Sequence, residues 1–260
     1  MPKFCANLSF LFTELPFPQR FAAAAAAGFD GVEYLSPYDY PAEQVAQWLR
    51  AAGVQQVLFN LPAGNWAAGE RGLACLPGRE DDFAESVELA LAYAQALDCQ
   101  RVHCMAGLNP LAEAPPLTRA RYVKNLRHCA DRFASIGAMV TIEAINTRID
   151  MPGYWLDSVD LALELLAEID RPNVKLQLDL YHAHIIGADS AAVIQRHLPQ
   201  IGHVQLADHP GRHEPGTGEI PLASLLEQLD AAGYEGWVGC EYRPLTNTNA
   251  GLGWRNRGQG

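Results

Sequence analysis

The sequence predicts an α/β protein that folds as a single closed (β/α)8 barrel across residues 1–260. Short β-branched or aromatic runs alternate along the chain with longer alanine-, leucine- and charge-rich runs. This alternation indicates parallel βα units rather than a β-sandwich. Seven steps separate Asn7 from Glu241, which gives about 33 residues per unit, a length that suits an eight-unit barrel.

An internal echo near the two ends of the chain supports the barrel. The segment AGFDGVEY at 27–34 resembles AGYEGW at 232–237, which is followed by Glu241 and Tyr242. In both copies a glycine follows a helix as its C-cap, and an aromatic-acidic-glycine turn then starts a strand. The rival fold, an open doubly wound sheet, usually places a glycine-rich phosphate turn after its first strand. Here that position reads SFLFTELP, at 9–16, so the closed barrel is favoured.

The individual elements follow from the same patterns. Predicted strands are the short β-branched or aromatic runs, and they cover residues 4–10, 31–35, 56–61, 101–107, 139–145, 174–180, 203–208 and 237–242. Predicted helices are the longer runs between them, and they cover 18–27, 42–52, 81–97, 117–136, 158–169, 190–198, 222–232 and a short final segment at 248–255. Three long irregular stretches follow strands, at 62–79, 146–154 and 209–220. A barrel places them at the carboxyl ends of its strands, the mouth at which active sites sit.

Composition excludes several classes of function. A hydrophobic fraction of 49% fits a packed core rather than disorder. Nineteen basic against thirty acidic residues, a net charge of −11, disfavours a nucleic-acid partner because phosphate binding needs a positive surface. A local basic patch is left open. No run approaches the ~20 apolar residues that span a bilayer, so no membrane partner is expected.

Cysteine usage and the amino terminus predict a cytoplasmic protein. The six cysteines form no CxxC pair and several lie in apolar runs, which is typical of reduced, buried thiols. The first residues superficially resemble a secretory signal. Asn7 and Ser9 interrupt its apolar part, however, and Glu14 is charged where a cleavage region should be neutral.

Polar residues interrupt the predicted strands near their ends, where strands buried on both faces should be apolar. They are Asn7, Glu33, Asn60, His103, Glu143, Asp179, Gln205 and Glu241, one for each strand. Each alone has a structural alternative, since such side chains often cap helices or bind loop amides. Eight together point into one mouth, because tilted parallel strands direct them there.

Four of these residues predict a metal site. Glu143, Asp179, Gln205 and Glu241 offer three carboxylates and one amide oxygen from adjacent strands, and the carboxylates repel one another unless a cation neutralises them. Oxygen ligands favour Mg²⁺, or Mn²⁺, over zinc. The alternative is that the carboxylates pair with Arg212, Arg243 or Lys175.

Several side chains are predicted to contact a substrate. His182 follows Asp179 by three residues, one helical turn beyond a metal ligand, whereas His184 is assigned a structural or surface role and His203 a place in the core. A guanidinium binds a carboxylate in a two-pronged fashion, so arginines in the long loops are candidates for an anionic substrate, while Arg71 is assigned to loop packing. The predicted substrate-binding residues are Asn7, Asn60, Arg79, His103, His182 and Arg212. Trp66 is a candidate lid, and Glu219 is expected to cap the following helix.

Specific motifs then carry a family resemblance. They are ANLS at 6–9, NLPAG at 60–64, AGERG at 68–72, LPGRE at 76–80, IEAIN at 142–146, RHEPGTGEI at 212–220 and GWVGCEY at 236–242. On these motifs the chain resembles, from Met1 to Trp254, the hydroxypyruvate isomerases of the xylose-isomerase-like TIM barrel superfamily. The 2-oxo-tetronate isomerases are a close sister group. The family interconverts hydroxypyruvate and tartronate semialdehyde.

The resemblance implies roles for the strand-end residues. Glu143 and Glu241 would be proton donor and acceptor, and both would surround a metal with Asp179 and Gln205. Sugar epimerases of the superfamily usually carry histidine where this chain has Gln205, which leaves open the metal's identity and whether it is required. Two carboxylates on opposite sides of a planar enediol suit proton transfer between adjacent carbons, and a cation stabilises the enediolate.

The expected partner is therefore a small hydroxy-keto acid, with no nucleotide cofactor, and a homo-oligomer is left open. Three alternatives stand beside this reading. The first is an isomerase or epimerase of a larger keto-sugar or four-carbon acid. The second is an enzyme that cuts DNA at abasic sites, against which the acidic charge and the few strand-end histidines count. The third is a catalytically dead barrel that serves as a binding module.

Overall fold

A computed structural model, which describes residues 2–256, contains eight parallel strands that close into one barrel and so confirms the predicted fold. The strands are β1 (Lys3–Asn7), β2 (Gly31–Tyr34), β3 (Gln55–Asn60), β4 (Arg101–His103), β5 (Met139–Glu143), β6 (Val174–Asp179), β7 (Ile201–Leu206) and β8 (Trp237–Cys240). Each strand pairs with the next in sequence, and β8 returns to pair with β1 from Lys3↔Trp237 onward. Closure leaves no free strand edge.

Helices surround the barrel. They are α1 (Phe17–Ala26), α2 (Ala42–Ala52), α3 (Glu80–Ala96), α4 (Pro115–Ala134), α5 (Val159–Ile169), α6 (Leu180–Ile186), α7 (Ser190–His197) and α8 (Leu222–Ala231). Short 3-10 helices cover Trp66–Ala68, Leu198–Gln200 and Ala250–Asn256. The predicted helices are all present with ends shifted by two residues or less, although the last is a 3-10 helix rather than an α-helix. None of the helices within residues 2–256 combines the length and apolar character that a bilayer crossing requires.

The main hydrophobic core lies between the barrel and the helices. Val102 and Val140 on the strands and Leu126 and Phe133 on α4 are fully buried members of one cluster. Burial of a leucine side chain of this kind stabilises the fold by about 1.5–3 kcal/mol. Because this core holds the strands from outside, polar side chains can occupy the inside of the barrel at its mouth.

Glycines end helices at the positions where the internal echo predicts them. Gly28 after α1 and Gly233 after α8 have φ values of +76° and +78°. Residues other than glycine rarely adopt this left-handed conformation. The two copies of the echo therefore start β2 and β8 by the same turn.

Helix α6 is absent from the sequence prediction. It has only seven residues and begins directly at the end of β6, where the segment LYHAHII carries no long helical periodicity. Asp179 is its N-cap and accepts hydrogen bonds from the backbone N–H groups of Tyr181 and His182, and Gly187 is its left-handed C-cap. An aspartate followed eight residues later by glycine was the signal that could have revealed it.

Several predicted strands extend too far toward their carboxyl ends. The predictions 101–107 and 139–145 end in the structure at His103 and Glu143. Apolar residues continue beyond both points, and Ala106 and Ile145 are buried, but they belong to loops that cross the mouth. A hydrophobic run in the sequence indicates that its residues are buried, whereas the residue at which a strand ends depends on hydrogen bonding to the neighbouring strands.

Candidate active site

The polar strand-end residues lie side by side at the mouth of the barrel. Strand pairing places Asn7 opposite Glu33 and Asp179 opposite Gln205, and it likewise aligns Asn60 with His103. All eight predicted residues are buried. Glu241 differs slightly from the prediction because it follows the last paired residue of β8 by one position.

A cavity of about 270 Å³ opens above these residues. Its lining contains, among others, Asn60, His103, Glu143, Asp150, Gln177, His182, Arg212, Glu241 and Arg243. A larger cleft of about 600 Å³ lies at the opposite end, beside Lys3 and Trp237 at the starts of β1 and β8, but among residues 2–256 its lining includes a single carboxylate, that of Asp30. The acidic cluster therefore singles out the smaller cavity as the candidate site.

A chain of two amides connects the two glutamates. The Nε2 of Gln177 donates to Glu143 Oε2 at 3.2 Å and to Gln205 Oε1 at 2.7 Å. The Nε2 of Gln205 in turn donates to Glu241 Oε2 at 2.6 Å. Gln177 was not predicted as a site residue. Its position two residues before Asp179 on one strand, and so on the same face, is the signal that could have found it.

Below this chain, Glu33 anchors the inner layer of the site. Its carboxylate accepts hydrogen bonds from Asn7 Nδ2 at 3.0 Å and Gln205 Nε2 at 2.8 Å, and it contacts His203 Nε2 at 2.7 Å. Burial raises the pKa of Glu33, but His203 and the donors overcome this and hold the pKa below its usual value. The Asn7 amide also donates to Glu241 Oε2 at 2.8 Å. Asn7 thus supports Glu241 from beneath and is not among the residues that line the cavity.

Asn60 and His103 both line the cavity. The Nδ1 of His103 lies 3.3 Å from Asn60 Oδ1, and its Nε2 lies 3.5 Å from Glu143 Oε2. Burial, together with the charges of His203 and His182, lowers the pKa of His103 to about 3. His103 is therefore a neutral imidazole at physiological pH.

His182 is held in one tautomer by Asn146. The Oδ1 of Asn146 accepts from the backbone N–H groups of Ile149 and Asp150, so its Nδ2 faces His182 Nδ1 at 2.7 Å and donates to it. The ring proton then lies on Nε2, which is 3.8 Å from Asp179 Oδ2. Burial lowers the pKa of His182 well below its usual value. The side chain therefore presents a neutral N–H donor to the site.

Arg212 is the positive charge at the centre of the acidic cluster. Its guanidinium contacts Glu241, lies 3.6 Å from Asp179 Oδ2 and binds Asp150 Oδ1 at 3.1 Å. Although burial lowers the pKa of Arg212, these carboxylates hold it above its usual value. The alternative expectation that Arg212 pairs with carboxylates of the predicted metal site is thus met for Asp179 and Glu241.

The three carboxylates of the predicted metal site, those of Glu143, Asp179 and Glu241, resist ionisation. Burial, followed by the charges of Asp179 and Glu241, raises the pKa of Glu143 well above its usual value. Burial likewise raises the pKa of Asp179, and it raises that of Glu241 to about 8 although Arg212 opposes the shift. Among the described residues, Glu241 contacts an arginine whereas Glu143 does not, so the two glutamates lie in different electrostatic environments.

The donor set fits a divalent cation in part. Oδ2 of Asp179 is buried and has no hydrogen-bond partner in the described residues, and ligand atoms of Glu143, Asp179 and His182 lie within 4.8 Å of one another. Gln205 fits less well, because its Oε1 accepts from Gln177 while its Nε2 donates to carboxylates. Its amide must turn before the oxygen can face a cation.

The structure does not bring Arg79 to the cavity. Its guanidinium binds Glu70 and Asp82 within the loop and the start of α3, and two carboxylates leave it little capacity for an anionic substrate. Trp66 does line the cavity, and Arg71 stacks on its ring at 3.9 Å. The expected cap at Glu219 is wrong, because α8 begins after Pro221 without a side-chain cap, and Glu219 instead binds His184 Nε2 at 3.1 Å.

Asp208, which sequence reasoning missed, organises the loop that carries Arg212. Its two carboxylate oxygens accept four backbone N–H groups at 2.9–3.0 Å, those of His209, Gly216, Gly218 and Ile220. Asp208 is fully buried. An acidic residue two positions after a strand, followed by a glycine-rich loop, was the available signal.

Replacing Asp208 by alanine is expected to lower the free energy of unfolding by about 3 kcal/mol, because four backbone N–H groups, of which that of Ile220 is buried, lose a charged acceptor. Urea unfolding measures the change. Asp189→Ala is the matched control: Asp189 is an exposed N-cap with one such bond, and its loss should cost only about 1 kcal/mol. Equal losses in the two variants would contradict the assigned role of Asp208.

Comparisons with known proteins agree with this architecture. A family model described as Xylose isomerase-like TIM barrel matches residues 21–257. The chain is 48% identical to the 2-oxo-tetronate isomerase of Cupriavidus necator, over 98% of this chain and 97% of that protein. It is 42% identical to the hydroxypyruvate isomerase of Escherichia coli, over 98% of each chain.

Solved structures show the same relationship. A crystal structure described as AP endonuclease, family 2, from Brucella melitensis superposes with a TM-score of 0.95 at 46% identity, covering 98% of both chains. An L-ribulose 3-epimerase superposes with a TM-score of 0.77 at 22% identity, covering 98% of this chain and 86% of that one, which supports the fold alone. The chain therefore belongs to the xylose isomerase-like TIM barrel family, and within that family it is an isomerase.

Proposed function

We propose that this isomerase interconverts hydroxypyruvate and 2-hydroxy-3-oxopropanoate (tartronate semialdehyde) by proton transfer through an enediolate. One observation carries the proposal: Glu143 at the end of β5 and Glu241 just after β8 line the same cavity of about 270 Å³. That volume suits a small hydroxy-keto acid, since ligand sites enclose most of the surface of what they bind.

Moving a carbonyl between adjacent carbons requires one group that removes a C–H proton and another that returns a proton to the neighbouring carbon. Glu143 and Glu241 are proposed for these two tasks, each serving as base in one direction and as acid in the other. Their unequal environments support the assignment. Glu241 has Arg212 and two amide donors to stabilise its anion, whereas among residues 2–256 the carboxylate of Glu143 accepts only the long hydrogen bond from Gln177. Unequal pKa values are what an acid–base pair needs.

Neighbouring side chains are proposed to bind and orient the substrate. The Nε2–H of neutral His182 is a donor for a substrate oxygen, and the Nε2 of His103, which has no hydrogen-bond partner among residues 2–256, lies beside Glu143. Glu143, Asp179, Glu241 and, once its amide has turned, Gln205 would hold Mg²⁺ or Mn²⁺. Such an ion supplies positive charge that stabilises developing negative charge on oxygen.

A four-carbon 2-oxo acid is the second candidate substrate. Support for it comes from the comparisons, in which this chain is 48% identical to a 2-oxo-tetronate isomerase and 42% identical to a hydroxypyruvate isomerase. Both reactions shift a carbonyl between adjacent carbons of a carboxylic acid, so the same two glutamates serve either. Cleavage of DNA at abasic sites is disfavoured by the net charge of −11.

Two broader assignments accompany the reaction. We propose that residues 1–260 form one domain, since the closed barrel uses strands from both ends of the chain. We also place the protein in the cytoplasm, because the six cysteines are buried and free.

A substrate panel tests the proposal. Purified protein with Mg²⁺ is expected to convert hydroxypyruvate, followed by nuclear magnetic resonance, and 2-oxo-tetronate is assayed in parallel. Removing divalent ions with a chelator should lower kcat/KM at least about 100-fold, because the lost charge stabilisation is worth several kcal/mol. Preference for 2-oxo-tetronate would select the second candidate. Turnover of sugars alone, or incision of abasic DNA without isomerisation, would contradict the proposal.

A further inference from the structure

One arginine on the cavity wall has no assigned partner. Arg243 lines the cavity two residues after Glu241 and is exposed. Across residues 2–256 its guanidinium takes part in no ion pair, side-chain hydrogen bond or ring contact, since its described bonds are made by the backbone. Its hydrogen-bonding capacity is therefore free for a ligand.

The other charged side chains around the cavity are mostly carboxylates, so an unpaired guanidinium there matters for binding an anion. Glu143, Asp150 and Glu241 line the wall as carboxylates, and Arg212 is already committed to two of them. An anionic group that enters the cavity thus meets Arg243 as the cation with unused donors.

The backbone holds Arg243 in a fixed place relative to the acidic cluster. Its N–H donates to the carbonyl oxygen of Arg212 at 2.7 Å, and its own carbonyl accepts from His213 Nδ1 at 2.7 Å. The segment after β8 is thereby tied on both sides to the loop that carries Arg212. A long side chain on an anchored backbone can reach a substrate without unfolding a loop.

We propose that Arg243 binds the carboxylate of the substrate and makes the enzyme selective for hydroxy-keto acids over neutral sugars. The inference rests on the proposed carbonyl shift and adds the group that recognises the acid end. A guanidinium binds a carboxylate through two parallel N–H···O hydrogen bonds. The acid end then lies at the exposed wall, while the carbons that exchange protons lie toward Glu143 and Glu241.

Steady-state kinetics with two matched substrates test the inference. Hydroxypyruvate and dihydroxyacetone share a hydroxymethyl ketone, and the other substituent of the ketone is a carboxylate in the first and a second hydroxymethyl group in the second. Arg243→Gln is expected to raise KM for hydroxypyruvate roughly 10- to 100-fold, the effect of losing a charge-assisted hydrogen bond. The expected change in kcat is less than about threefold, because the contact is the same in ground and transition states. Activity toward dihydroxyacetone should not fall.

Two further variants control the experiment. Arg243→Lys keeps the charge without the paired geometry and should recover part of the loss. Arg50→Gln removes an exposed guanidinium from α2, away from the cavity lining, and should change neither KM. The inhibition constant of glycerate, a non-isomerised acid, should rise with KM in Arg243→Gln, which gives a readout of binding alone.

The outcomes separate the inference from the proposed function. A wild type that converts hydroxypyruvate, with an unchanged KM in Arg243→Gln, would overturn the role of Arg243 and leave the reaction standing. Equal losses for both substrates would also overturn it, since they would indicate a general disturbance of the site. A wild type that isomerises dihydroxyacetone but no hydroxy-keto acid would overturn both.

Discussion

Replacing Glu143 by glutamine is expected to lower kcat/KM for hydroxypyruvate at least about 10³-fold, because removal of a general acid–base group typically costs 10²–10⁴-fold. The replacement keeps the shape of the side chain and an oxygen that accepts the Gln177 hydrogen bond. Kinetics over a range of pH measure the loss. Glu85→Gln, an exposed glutamate on α3, should leave the rate unchanged. Substantial residual isomerisation by Glu143→Gln would contradict the mechanism.

The same variant carries a prediction about stability and pH. The pKa of Glu143 is raised in the folded protein by burial and by Asp179 and Glu241, so the folded state holds this proton more tightly than the unfolded state. In metal-free protein, stability should therefore fall as pH rises above about 4.5, the usual glutamate value. Glu143→Gln removes that contribution and should be more stable than wild type at pH 8 but equal to it at pH 4. Urea unfolding in the presence of a chelator measures the difference, and a wild type that is the more stable at pH 8 would contradict it.

Replacing Arg212 by methionine is expected to lower the free energy of unfolding by about 3–5 kcal/mol in metal-free protein, as breaking a buried ion pair leaves uncompensated charge. The guanidinium contacts Glu241 and Asp150 and lies near Asp179, and all three lose their counter-charge. Methionine retains an apolar side chain of similar length, so the measured loss reports charge more than packing.

The effect of divalent cations on the melting temperature is a second test of that prediction. A ligand that binds only the folded state stabilises it in proportion to RT ln(1 + [L]/Kd), so Mg²⁺ should raise the melting temperature of Arg212→Met more than that of wild type. Arg79→Met is the control, because its ion pairs are partly exposed and should contribute about 1 kcal/mol or less. An Arg212→Met variant as stable as wild type in metal-free protein would contradict the prediction, because it would show that Glu241, Asp179 and Asp150 do not need the charge of Arg212.

Local sequence patterns predicted the barrel well, since period and composition report burial directly. The βα alternation, the glycine ends at Gly28 and Gly233, and the strand-end positions of Glu143 and Asp179 all appear as expected. Where a strand stops depends on its neighbours, so β4 was drawn four residues too long. Short helix α6 was missed because a single turn or two leaves no periodic signal.

The site was less predictable, because which side chains form ion pairs and hydrogen bonds with one another depends on the tertiary structure and not on the local sequence. Arg79 and Arg243 both occupy loops and look equivalent in sequence, but Arg79 is bound by Glu70 and Asp82 whereas Arg243 has no such partner among residues 2–256. The role of Asp208 was likewise not predicted, because its four N–H donors come together only in the folded loop. These relations require coordinates.

Deuterium tracing tests most directly whether two glutamates relay protons between adjacent carbons. Hydroxypyruvate carrying two deuterium atoms at C3 is converted briefly in ordinary water, and the products are trapped at once by borohydride reduction. Product-derived glycerate, recognised by its single deuterium at C3, is then examined at C2 by nuclear magnetic resonance, with an enzyme-free control for spontaneous exchange. Proton transfer through Glu143 and Glu241 predicts solvent hydrogen at C2, because carboxyl protons exchange with water. Transfer of deuterium from C3 to C2 in most product molecules would indicate a direct hydride shift and contradict the account.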